Sequence, residues 1–176
     1  MQQWGSVCVE CGFDPDSVTP NQAPSAVRLA ASRFQDPLTN LGPGESDGIF
    51  RSRPAKDVWS ALEYAAHVRD VFALFDRRIT RILVDNGTIL ELVDHDKAIS
   101  DGRYNELDPV SVAADVVSSA EGLARRLEEL RPGDWYRWGT RAGEIRTVLE
   151  VAQRAVHEAH HHLTDLERCL RIARGS

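Results

Sequence analysis

Residues 156–165 read Val156-His157-Glu158-Ala159-His160-His161-His162-Leu163-Thr164-Asp165, and this stretch carries four of the chain's six histidines. Around it Leu149, Ala152, Val156, Ala159, Leu163, Leu166 and Leu170 recur at three- and four-residue steps. That period marks one face of an α-helix. Thr147 precedes the run with Glu150 three residues on, the pattern of a capping box. The spacing predicts a helix over 147–172, amphipathic and therefore in need of partners.

Three more such helices are legible upstream. The third runs from Asp108-Pro109, with Asp at the cap and Pro at the first helical position, and buries Val112, Val116, Ala120, Leu123, Leu127 and Leu130. Arg131-Pro132-Gly133 stops it, and Trp135, Trp138 and Gly139 follow in a connecting segment. The second spans Asp57 to Val84, capped by Asp57, with a stripe of Leu62, Ala65, Val68, Phe72, Phe75, Ile79 and Ile82. The first follows Pro20, capped by Ser25, with Val27, Ala30, Ala31, Phe34 and Leu38 inward and Pro37 bending or ending it. Residues 88–108 are long for a structureless connection, so they are expected to be functional or to hold a short helix. No alternating strand pattern of useful length appears. The expected fold class is all-α, a four-helix bundle, as one domain over 1–176 with an N-terminal arm at 1–19 and the bundle over 20–176.

Composition narrows the function. The chain has 176 residues, 42% hydrophobic and 27% charged, with a net charge of −6. That is globular composition, and the acidic balance argues against a nucleic-acid partner. No apolar run approaches the roughly 18 residues of a membrane span, so no membrane partner is expected. Met1-Gln2-Gln3-Trp4-Gly5 shows no export signal, and three cysteines do not suggest a disulfide framework, so the expected location is cytoplasmic.

The clustered histidines read either as a metal site or as a solvated helix face with one satisfied core histidine. With Val156 at the centre of the buried stripe, His157 falls at about +100° and His161 at about +140° on the helical wheel. His160 falls at about +40°, nearer the core, and His162 at about −120° on the other flank. Two imidazoles at i, i+4 converge on one point and form a ready bidentate site. The i, i+3 pair His157/His160 competes with His157/His161, and His162 with Glu158 reads as a local i, i+4 pair. A third ligand is needed, and His67 is the one histidine within another of these helices.

Two segments resemble the DinB-like superfamily. One is Trp59-Ser60-Ala61-Leu62-Glu63-Tyr64-Ala65-Ala66-His67-Val68-Arg69-Asp70-Val71, and the other is the histidine run at 157–165. The opening Cys8-x-x-Cys11-Gly12-Phe13-Asp14, the pair Asp94-x-Asp96 and the segment Trp135 to Gly139 resemble the family as well. The resemblance implies a four-helix bundle holding one divalent metal on His67, His157 and His161. Zinc or nickel comes first, with iron or manganese behind. In that picture His160 is a supporting neighbour, and His160 and His162 are not ligands. The family includes thiol-dependent transferases and mycothiol-dependent maleylpyruvate isomerase, which implies a small-molecule substrate and a low-molecular-weight thiol cofactor such as mycothiol; a homodimer is a separate expectation. The alternative is a non-catalytic metal- or ligand-binding module, a dimer in a stress response.

Other residues carry weaker expectations. Cys8-x-x-Cys11 is half of a zinc ribbon, with only Cys169 left to help, and reads as a structural tuck of the arm. Glu63 or Asp70, one turn either side of His67, is placed to orient its ring. Arg69 and Arg154 are candidate anion contacts, against ion pairs with Asp70 and Glu150. Asp94, His95 and Asp96 read as a polar loop with a helix cap, or as groups reaching the open end of the bundle.

Overall fold

The computed structural model describes residues 6–175. The first five residues, on which the reading of an absent export signal rests, lie outside them.

Four helices build the bundle: α1 (Ala23–Ser32), α4 (Ala61–Val84), α6 (Pro109–Glu128) and α7 (Val148–Ala173). Shorter helices α2 (Gln35–Thr39), α3 (Gly48–Arg51) and α5 (His95–Asp101) sit in the connections. Helix α1 packs against α6 and α7, and α4 packs against the same two. The ring order is therefore α1, α6, α4, α7, with the first two long helices diagonal across the core. This places α4 directly beside α7. Phe34, Phe72, Leu62, Ile79, Leu123, Leu127 and Leu166 are fully buried between the layers. Burial of each such side chain contributes about 1.5–3 kcal/mol.

Local chemistry sets the helix ends. Thr147 Oγ1 accepts from the Glu150 amide at 3.2 Å while Glu150 Oε2 accepts from the Thr147 amide at 2.7 Å, the expected capping box. Asp108 caps α6, with Pro109 in its first turn. The start of α4 differs from the sequence expectation. Its cap is Ser60, which exchanges backbone and side-chain bonds with Glu63, whereas Asp57 precedes the helix in a turn. The reciprocal Ser60/Glu63 pair satisfies two orphan amides, which a lone Asp57 does not. The first helix also differs. It breaks after Ser32, and Pro37 sits in α2, where a missing amide proton is tolerated near the helix start. Ser25 lies inside α1, and its hydroxyl donates back to the Gln22 carbonyl.

A two-stranded hairpin was not expected. Strands β1 (Trp138–Arg141) and β2 (Glu144–Thr147) pair antiparallel across Ala142-Gly143. Both loop residues have positive φ, 51° and 82°, as a type I′ turn requires. Four-residue strands are too short for alternation to register, and Ala-Gly is a weaker signal than Asn-Gly. The segment after α4 runs along β1, with the Leu90 amide donating to the Thr140 carbonyl at 2.8 Å. The hairpin is thereby held at one end of α4 and α7. Among the described residues no helix is long and apolar enough to cross a membrane.

Candidate metal centre

On α7 the apolar residues Ala152, Ala155, Ala159, Leu163, Leu166 and Leu170 are buried. At 100° per residue they lie within about 40° of a line through Ala159. The centre of the buried face is therefore about 60° from Val156, and the histidines turn with it. Glu158 and His162 fall at about −100° and −60°, on one flank of the helix. His157 and His161 fall near 160° on either side, at the back.

The structure accordingly divides the three expected ligands. His67 gathers with Glu158 and His162, while His157 and His161 gather with Cys8 and Cys11. His67 projects from α4 toward α7 and is 4% exposed. Its Nε2 is 3.7 Å from Glu158 Oε2, and His162 Nε2 is 3.3 Å from the same oxygen. Ligands about 2.0–2.1 Å from a tetrahedral ion stand about 3.3 Å apart, so one nitrogen pair member is at coordination spacing and the other slightly wide. Two histidines and a carboxylate with an open side match the donor chemistry of a catalytic zinc or ferrous site. His162, expected to stay apart from the ligands, belongs to this cluster by position.

The surrounding groups fix these donors. Asp165 Oδ2 lies 3.0 Å from His162 Nδ1, which leaves Nε2 to face Glu158 and His67. Glu158 Oε1 pairs with Arg154, leaving Oε2 to the histidines. Burial alone would lower the His162 pKa, but hydrogen bonds to Asp165 and Glu158 outweigh it and raise it to about 9. Burial pushes the Glu158 carboxyl up, yet His162, His67 and Arg154 together hold it well below the usual carboxylate range. Burial keeps His67 below the ordinary histidine value.

Glu63 and Asp70 do not serve as ring-orienting groups, because each is engaged elsewhere. Glu63 caps α4 and binds Arg53, with Nε to Oε2 at 2.8 Å. Asp70 binds Arg69 at 2.7 Å and the Tyr104 hydroxyl. His95 does reach the site. Its ring meets His67 edge-on at 4.7 Å between centroids, and burial followed by His67 lowers its pKa. Its neighbours are structural: Asp94 caps α5, and Asp96 accepts from the Trp59 indole at 3.0 Å. His160 turns away toward the arm, with Nε2 3.2 Å from the Cys11 carbonyl.

A cavity of about 780 Å³ opens beside the cluster, walled by Trp59, His67, His95, Glu158 and His162. Arg78, Arg141, Arg146 and Arg154 also line it. Arg78 is 3% exposed, and burial followed by Arg141 lowers its pKa to about 10. The Nε atoms of Arg78 and Arg141 are buried with no hydrogen-bond partner. Arg141 and Arg146 come from the hairpin, which is why the sequence reading missed them. Trp135 is buried and covers the bundle instead of lining the cavity.

A model of the DinB superfamily matches residues 27–166. No curated protein sequence matches at a significant level. Among solved structures the chain is similar to YfiT from Bacillus subtilis, with a TM-score of 0.78 and 14% identity over 99% of this chain and 94% of that one. YfiT is described as a probable metal-dependent hydrolase with an unusual four-helix bundle topology.

Proposed function

The chain belongs to the DinB superfamily, and from that premise we propose that it is a divalent-metal-dependent enzyme acting on a small anionic molecule. The ligands we assign are His67, Glu158 and His162, in place of the His67, His157 and His161 set implied by the sequence resemblance. The observation that carries the reading is the convergence of these three donors on the wall of an arginine-lined cavity. A divalent ion held by these three side chains would supply Lewis acidity to the cavity.

The chain's own groups do the rest. Arg78, Arg141, Arg146 and Arg154 line the cavity, so their positive charge would draw in and orient a substrate carboxylate or phosphate. His95 stands beside His67 and is held neutral by burial near pH 7, so its imidazole is the group to take a proton from an incoming nucleophile. Asp165 holds His162 in the tautomer whose Nε2 faces the ligand cluster.

For the reaction we infer thiol-dependent transfer or isomerisation, with a low-molecular-weight thiol such as mycothiol as the nucleophile. Hydrolysis, the chemistry described for YfiT, is the rival. Metal analysis tests the ligands: His67→Ala should lose one metal equivalent while keeping native helicity, and unchanged stoichiometry overturns the assignment. Adding thiol to the cobalt-loaded protein tests the chemistry. A new thiolate-to-cobalt band in the difference spectrum supports thiol activation. No spectral change, with turnover of an anionic ester, favours hydrolysis. No change and no turnover favours a binding module.

A further inference from the structure

The second cluster on α7 faces the N-terminal arm. We propose that Cys8, Cys11, His157 and His161 form a separate structural metal site of the zinc type, which fastens the arm to the back of α7. Their ligand atoms all lie within 4.8 Å of one another. Two thiols with two imidazoles make a closed, four-protein-ligand set, the kind that zinc uses for structure. Cys8 Sγ is 3.7 Å from His161 Nδ1. With Zn–S about 2.3 Å and Zn–N about 2.0–2.1 Å at tetrahedral angles, the expected S···N edge is about 3.6 Å.

The loop is folded to present both sulfurs. The Cys11 amide donates to Cys8 Sγ at 3.4 Å, and the Gly12 amide donates to the Cys8 carbonyl at 2.8 Å. Gly12 has φ 73°, a left-handed turn that a side chain would resist. An amide proton directed at sulfur favours the thiolate form that binds metal. Neither cysteine is in a disulfide, and Cys169 lies elsewhere, donating to the Trp59 carbonyl at 3.3 Å.

The histidine side is prepared as well. His161 Nε2 lies 3.4 Å from Glu10 and 3.7 Å from Asp165, so carboxylates hold one ring nitrogen while Nδ1 faces the sulfur. His157 is 7% exposed although it lies on the back of α7, because Phe13 covers it at 5.4 Å between ring centroids. Its Nε2 is buried with no hydrogen-bond partner. Apart from these groups, the arm is tied to α7 by His160 on the Cys11 carbonyl and by Gln153 Nε2, which donates to the Val18 carbonyl at 3.1 Å.

The test uses the full chain, reduced and reconstituted with zinc or cobalt. Two metal equivalents are expected, with a thiolate-to-cobalt charge-transfer band present before any thiol is added. Cys11→Ser should lose one equivalent and the band. His67→Ala should lose the other equivalent and keep the band. Glu10 is exposed, so zinc should also protect the bond after it from a glutamate-specific protease in the wild type, a readout that needs no variant. A cobalt form with no thiolate band, or a band that survives Cys11→Ser, overturns the proposal. So does a mass loss showing a Cys8–Cys11 disulfide in metal-treated protein. A single equivalent removed by His67→Ala would overturn this site and leave the cavity site standing.

Discussion

The two clusters on α7 occupy the same turns of the helix and differ in what covers them. Glu158 and His162 face α4 and meet His67 at the edge of a cavity. His157 and His161 face the arm and meet two cysteines beneath it. The first set is nitrogen and oxygen donors with one side open, as a reactive centre needs. The second is two sulfur and two nitrogen donors, a set that would surround an ion with protein and leave no side for substrate. Asp165 touches both, through His162 at 3.0 Å and His161 at 3.7 Å. Interleaved histidines on one helix can therefore serve unrelated ends, and the side from which a second element approaches decides which.

The comparison breaks most completely at His67. His67→Ala should remove one metal equivalent, and with it any turnover by the proposed site, and leave the thiolate cobalt band unchanged, as read by metal analysis and optical spectra. Next in size is Cys11→Ser. Free zinc at about 100 times its Kd stabilises a bound site by about 2.7 kcal/mol. Losing it should lower the Tm by roughly 5–11 °C in a chain of this size, in zinc and not in chelator, by calorimetry. If the variant melts with the wild type in zinc, the arm is not held by metal.

Asp165→Asn sharpens the link between the sites. Removing the carboxylate that holds the His162 ring at 3.0 Å and lies 3.7 Å from His161 should weaken the cavity site by about 10–100-fold and the arm site less, measured by competition with a chelating dye. A loss confined to one site would show that the other ring is held by its remaining partners.

The metal-free protein should also report on His162 through pH. Its pKa is raised to about 9, above the unfolded value of about 6.5. The native state thus binds the extra proton, so the stabilisation is fully present below pH 6.5 and is lost as pH rises through 9. Denaturation in chelator should show the midpoint falling across this window, and His162→Gln should flatten it. The smallest effect is Thr147→Ala, which removes the α7 cap at a cost of about 1 kcal/mol and should leave both metal equivalents in place.

Much of this was legible in the residues themselves. The cap of α7 at Thr147, the Asp108-Pro109 start of α6 and the stripes of four amphipathic helices all follow from local chemistry and period. The presence of a histidine cluster opposite His67 was legible too. Its rotation was not. Val156 lies midway along the apolar stripe in sequence, but it sits at the margin of a face whose middle is Ala159. A rotation of about 60° turns His157 and His161 to the back of the helix and brings Glu158 and His162 onto the flank beside α4. For His95 the sequence leaves two readings open, a polar loop or a group reaching the open end of the bundle, since nothing local says that α5 folds back against α4. The hairpin arginines were missed because their strands were invisible to periodicity.

The sequence by itself determined the helices, their caps and the donor types, because each depends on neighbours within a turn or two along the chain. Only the tertiary structure decided which donors meet. Seating α4 against one flank of α7 and the arm against its back joins His67 to Glu158 and His162, and Cys8 and Cys11 to His157 and His161. Those meetings span more than ninety residues of chain, and what sets them is the way buried faces pack against one another, which no local pattern encodes.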